Sequence, residues 1–221
     1  LYPRLTELVR RDDPVALAHA YHLACQAMGA MVLPVSILLM LYSREIVYAW
    51  TGDVSISNQS HVLITLLVAG TALTGLTQIP YALQLAHGWT RLALVTNSVC
   101  AILFVPAVYI LGKHHGGEGA AFAWVALNLV YMFIQTPLMH RRILNGDLAY
   151  WYLRDTLVPG VAAAVPLVAI APLLGLIGEG RFVSLVVIVP AYIVSVSMAI
   201  FMAHDLKIEI KRRIFARSMT A

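Results

Sequence analysis

Six apolar stretches, each near the length that crosses a bilayer, constrain this chain more than any other feature. A spanning helix needs about 20 mostly apolar residues. The stretches run at about 24–42, 62–85, 92–111, 119–139, 157–177 and 182–203, and an amphipathic lead-in over 14–22 precedes the first. No alternation of apolar and polar residues is long enough for a membrane barrel. The links between stretches are short and punctuated. Residues 44–60 contain Thr51-Gly52-Asp53 and Asn58, residues 87–90 read HGWT, and residues 113–117 read KHHGG. Residues 140–155 form the longest polar interval, with Tyr150, Trp151 and Tyr152 clustered in it, and Gly178-Glu179-Gly180 closes the last hairpin. Short links make antiparallel neighbours. The predicted fold is an all-α, polytopic membrane helical bundle of about six transmembrane helices.

Composition supports a lipid environment. Hydrophobic residues make up 60% of the 221 and charged residues only 12%. A soluble domain carries about 25% charged residues. The net charge of +4 raises the question of nucleic acid, and the placement of the basic residues answers it. With the first residues on the cytoplasmic side, that side collects Arg4, Arg10, Arg11, Arg91, Arg141, Arg142, Arg154, Lys207, Lys211, Arg212, Arg213 and Arg217. The opposite side holds Arg44, Lys113 and Arg181. This asymmetry is the positive-inside pattern, and it places both ends in the cytoplasm. The cations are dispersed over membrane ends rather than gathered on one face, so no nucleic-acid partner is expected. The tail over 206–217, LKIEIKRRIFAR, reads either as a solvated topology signal or as a segment held by anionic lipids. Cys25 and Cys100 lie in apolar runs and read as small buried hydrophobes, not a disulfide framework. The chain begins at Leu1, and no signal peptide precedes the first apolar run; both predict that a longer protein extends N-terminally.

No Asp, Glu, Lys or Arg falls within a predicted span, which argues against a coupling-ion site in this part of the protein. The uncharged polar residues do show a pattern. Thr71, Thr74, Gln78 and Tyr81 share one helical face, as do Trp124, Asn128, Tyr131 and Gln135. Gln84 and Asn97 are candidates to join them. Such faces avoid lipid, so they serve either as hydrogen-bonding glue between helices or as the wall of a polar path for a hydroxyl-rich substrate. Prolines 34, 80, 106, 137, 166, 172 and 190 invite kinks in the spans. His114 and His115 are adjacent in a link and have no third ligand nearby in sequence. There is no His-Glu-x-x-His, Gly-x-Ser-x-Gly, paired-Cys or P-loop motif. The chain does not read as an enzyme, and neither a cofactor nor a metal is expected.

Several strings resemble a known family. LYPRLTEL (1–8), followed by a charged stretch and a long apolar helix, is one. The others are IPYALQLAHGWTRLALVTN (79–97), GGEGAAFAWVALNLVYM (116–132), PLMHRRIL (137–144) and WYLRD (151–155) with Pro159. Together they cover nearly the whole chain, LQLAHGWT and GAAFAWVALN being the most specific. They resemble O-antigen-type oligosaccharide flippases, polysaccharide biosynthesis proteins of the multidrug/oligosaccharidyl-lipid/polysaccharide exporter superfamily. The resemblance implies two six-helix bundles, often with an extra C-terminal pair. Residues 1–144 would hold the last four helices of the second bundle, and residues 145–221 the extra pair and a basic cytoplasmic tail. It implies a transporter in the bacterial inner membrane that flips undecaprenyl-diphosphate-linked oligosaccharides for lipopolysaccharide and other surface polysaccharides by alternating access. Its implied partners are that lipid-linked substrate, membrane lipids, and a polysaccharide polymerase and chain-length regulator of the same pathway. Cations for the diphosphate would be Arg91, Arg141 and Arg142 at the rim, or residues elsewhere in the protein. A lipid II flippase and a cation-coupled multidrug antiporter are the alternatives within the superfamily.

Overall fold

The computed structural model describes residues 2–176 and 182–209. The Gly178-Glu179-Gly180 turn, Ile177, Arg181 and the tail beyond Glu209 lie outside the described residues. Among the described residues the elements are helical: α1 (Tyr2–Arg11), α2 (Pro14–Thr51), α3 (Val54–Ala86), α4 (Thr90–Ile143), α5 (Leu148–Leu174) and α6 (Val183–Met202), with a further helical segment over 204–209. All except α1 and the last segment are long and apolar enough to cross a membrane.

Local chemistry sets the ends. Asp13 caps α2, its Oδ1 accepting from the Ala16 N–H at 3.0 Å, and Pro14 occupies the first turn, where no N–H is needed. At the far end the Gly52 N–H donates to Tyr48 O at 2.8 Å, and the Asp53 carboxylate accepts from the N–H groups of Ser55 and Ile56. The interval 44–60, expected as a link, is therefore helix on both sides of a Gly52-Asp53 turn. Nothing in 44–51 breaks a helix, and α2 continues through it after a kink at Tyr42 (φ −122°, ψ 24°). Its 38 residues are more than the about 20 that a single crossing needs.

The helix α4 spans 54 residues, too long for one crossing, and it is folded back on itself. Gly116 breaks it with φ 60° and ψ −142°, a conformation that a Cβ would strain. The two arms lie side by side: the rings of Phe104 and Trp124 meet edge to face at 6.2 Å between centroids. In a straight helix these residues would be about 30 Å apart. The expected third and fourth spans are thus both present, as arms 90–115 and 117–143. With both arms counted, the described residues hold six stretches long enough to cross.

Two π-helical segments interrupt the helices, Tyr131–Gln135 in α4 and Trp151–Leu157 in α5. Each ends two residues before a proline, Pro137 and Pro159 respectively. A proline inside a helix clashes with the carbonyl four residues earlier and cannot donate to it. Widening the preceding turn relieves that clash.

The arrangement is sequential: α4 packs on α3, α3 on α2, and α2 receives α5 and α6 on its other side. The core at the end carrying Arg141 and Arg142, here the basic end, joins Leu5, Tyr21, Leu83, Met139 and Trp151 from five segments. Farther along, Tyr42 packs with Leu167 and Ile188, and its hydroxyl donates to Leu167 O at 2.5 Å. Ala30, Ala163 and Ala199 let α2, α5 and α6 approach closely, as small residues do in lipid. Cys25 and Cys100 are buried and free. The Gln26 amide oxygen accepts from the N–H groups of Asp205 and Leu206, so the start of α2 and the segment after α6 lie at the same end of the bundle. Large apolar side chains such as Leu94, Ile102, Phe122, Phe133, Val186 and Ile193 point outward. That surface suits hydrocarbon. The chain is a multi-pass, all-α membrane bundle.

Candidate functional site

The two polar faces converge on one cavity of about 240 Å³ between α3 and the folded α4. From α3 come Thr74, Gln78, Tyr81 and Gln84; Asn97 comes from the first arm of α4; Trp124, Asn128, Tyr131 and Gln135 come from the second. Thr71 is not among the lining residues: it is exposed, and its hydroxyl donates to Leu67 O in its own helix. No charged side chain lines the cavity.

The lining divides into two sets. Buried amides brace the walls. The Thr74 hydroxyl donates to Asn128 Oδ1 at 2.6 Å while Asn128 Nδ2 donates to Trp124 O at 2.9 Å. Gln135 Nε2 donates to Gln84 Oε1 at 3.1 Å, and Gln84 Nε2 donates to Trp89 O at 3.2 Å. These bonds tie α3 to the second arm of α4 and to the turn at the basic end. Gln78 and Asn97, by contrast, are exposed, and Tyr81, Trp124 and Tyr131 are half-buried. Glue and open polar wall, alternatives in the sequence, are thus two neighbouring sets of residues. The π-helical segment runs through this wall and includes Tyr131 and Gln135.

Of the three rim arginines, Arg142 lies over the Trp89 ring at 4.4 Å, next to the Gln84 end of the cavity. Stacking of this kind holds a guanidinium while leaving its edge free. Arg91 and Arg141 are exposed, and none of the three lines the cavity. His114 and His115 are exposed beside the Gly116 turn. Among the described residues no group of three His, Cys, Asp or Glu side chains is arranged to hold a metal ion.

A second polar site was not foreseen. Asp155, expected in the link over 140–155, is 1% exposed inside α5. Its Oδ2 lies 2.5 Å from His22 Nδ1, and its Oδ1 accepts from Gln26 Nε2 at 3.0 Å. Gln26 Nε2 also donates to Asp205 Oδ2 at 2.8 Å. His22 Nε2 faces Asp147 Oδ2 at 3.5 Å. Asp155 thus lies just ahead of the expected fifth span, yet it is buried among the helices at the basic end. Pro159 extends α5 past the expected boundary by closing a π-helical turn instead of ending the helix. The sequence did carry one signal: His22 and Gln26 are four apart on α2 and share a face. Gly29, one turn farther, lets the Asp155 carbonyl approach; a Cβ there would stand 2.9 Å from that oxygen.

The two sites adjoin through Tyr21, whose ring meets His22 edge to face at 5.1 Å. The Tyr21 hydroxyl and His140 Nε2 are 3.1 Å apart, and His140 Nδ1 lies 2.9 Å from Thr136 O. Thr136 lines the cavity. Compared with family models, curated proteins and solved structures, the chain has no match among any of the three.

Proposed function

We propose that this chain is part of a membrane transporter that flips undecaprenyl-diphosphate-linked oligosaccharides from the inner to the outer leaflet of the bacterial inner membrane, supplying O-antigen-type surface polysaccharide. One observation carries the reading: an uncharged cavity, walled by amides, hydroxyls and aromatic rings, opens in a bundle that is otherwise apolar outside. Sugars present hydroxyls, which amides and phenols bond in either direction, and apolar ring faces, which stack on Trp and Tyr. A lipid tail needs no protein cavity, because the bilayer holds it. Arg142 on Trp89 supplies a cation near the cavity's basic end, suited to a diphosphate. The resemblance to oligosaccharide flippases agrees with this chemistry, and on that map both chain ends are cytoplasmic. The site provides binding and passage and no bond-making step.

The test uses a strain lacking the full-length gene. Lipid-linked oligosaccharides are extracted and their leaflet is probed with an impermeant reagent. Complete repeat units trapped on the cytoplasmic side, with surface polysaccharide lost, are the expected result. Unchanged surface glycan overturns the reading. The buried Asp155 favours a second reading, a cation-coupled antiporter of the same superfamily, because such proteins need a carboxylate away from water. Drug sensitivity of that strain, with normal surface glycan, would move the assignment there.

A further inference from the structure

The hydrogen bonds around His22 have a requirement of their own, independent of what the cavity transports. Both ring nitrogens of His22 face carboxylates, Nδ1 toward Asp155 and Nε2 toward Asp147. Ionised carboxylates only accept, and a neutral imidazole has one N–H to give. Only the imidazolium donates at both nitrogens. Gln26 cannot relieve this: its oxygen is fixed by the N–H groups of Asp205 and Leu206, and its nitrogen already donates to Asp155 and Asp205. His140 is the internal control. It has an acceptor, Thr136 O, at Nδ1 and the Tyr21 hydroxyl, which can donate, at Nε2, an arrangement that a neutral ring satisfies completely.

We propose that His22, with Asp155, Asp147 and Asp205, forms a proton-binding site whose bound proton sits on His22 and clamps the C-terminal helices onto α2. On α2 the neighbouring titratable groups are Tyr21 and Cys25; α4 contributes His140; α5 contributes Tyr150, edge-on to His22 at 4.7 Å, and the exposed Arg154; the segment after α6 contributes His204, Asp205 and Lys207, whose ammonium lies over Phe201. Two carboxylates thus face one imidazole, and a third, Asp205, is bridged to Asp155 through Gln26, while Arg154 is exposed and Lys207 lies over Phe201. The proton enters from water through Asp147, whose side chain is 39% exposed, against 10% for His22 and 0% for Asp155. Loss of the proton leaves two carboxylates facing a ring with one donor, with Asp205 one amide away. Asp205 then repels Asp155 across Gln26, and the 203–209 segment loosens from α2.

The experiment uses the full-length protein in nanodiscs, labelled with ¹⁵N-histidine. The His22 signal is assigned by its disappearance in His22→Gln. The imidazolium pattern, with both ring nitrogens protonated, is expected at pH 7.5 in the wild type and is lost in Asp155→Asn. Should Asp155→Asn fold poorly, Asp147→Asn serves, because it removes only the half-exposed acceptor; it shifts His22 toward the neutral pattern. Deuterium uptake over 203–209, corrected for intrinsic exchange, is expected to rise several-fold as pH is raised until the His22 signal turns neutral. A singly protonated His22 at pH 7.5 in the wild type overturns the proposal. So does uptake over 203–209 that ignores the His22 protonation state.

Discussion

The cavity between α3 and α4 and the cluster between α2 and α5 are two polar regions among the described residues, and they use polarity differently. The cavity has no charge and leaves Gln78 and Asn97 open. The cluster has three carboxylates and a histidine, and Asp155 is sealed within it with every oxygen bonded. An open amide exchanges protein for water or sugar at little cost, whereas a buried charge without its partner costs several kcal/mol. One region leaves polar groups open, and the other keeps them paired.

Substitutions sharpen this contrast. Asp155→Ala strips His22 and Gln26 of their acceptor, and breaking a buried pair in this way costs about 3–5 kcal/mol. Denaturant unfolding in detergent should show it, and a loss below about 1 kcal/mol would put the cluster in the same class as the cavity wall. Gly29→Leu pushes a side chain into the Asp155 carbonyl and Pro159, and overpacking of this kind costs about 1–3 kcal/mol. The predicted signature is early proteolysis of the C-terminal helices with the α3–α4 cavity intact. Asn128→Leu removes one acceptor of Thr74, which keeps Gly70 O, and a bond to Trp124 O, a loss of about 1 kcal/mol. It should lower the unfolding midpoint and leave the His22 proton in place. Gln78→Leu should leave the midpoint unchanged, since the side chain is exposed; a clear destabilisation would show that Gln78 braces the wall.

How much of each region was legible in the sequence follows from how it is built. The cavity rests on helical periodicity: Thr74, Gln78 and Tyr81 on one helix, and Trp124, Asn128 and Tyr131 on another, declare their faces without knowledge of the partner. Thr71 fits the same spacing yet lies outside the lining, because a threonine hydroxyl satisfies itself on the preceding turn and spacing does not register that. The cluster rests on tertiary contacts: His22, Asp155 and Asp205 come from three segments, and no period links them. Asp155 was hidden further by its neighbours, since an aromatic, charged string ahead of a proline reads as a link. The π-helical turn that makes room for Pro159 leaves no mark in composition. The hairpin in α4 was legible, because a mostly apolar run of 54 residues cannot cross once and Gly116-Gly117 supplies the break. The rim arginines were found by charge alone, and only the Trp89 stacking singles out Arg142 among them.

The most direct test of the account is surface polysaccharide made by a strain whose only copy of the full-length protein carries Gln78→Leu and Asn97→Leu, at wild-type abundance in the membrane. Both side chains are open to the cavity, and neither braces a helix. The account predicts that export falls at least several-fold while abundance and unfolding midpoint hold. Full export at normal abundance would contradict it and remove the cavity from the translocation path.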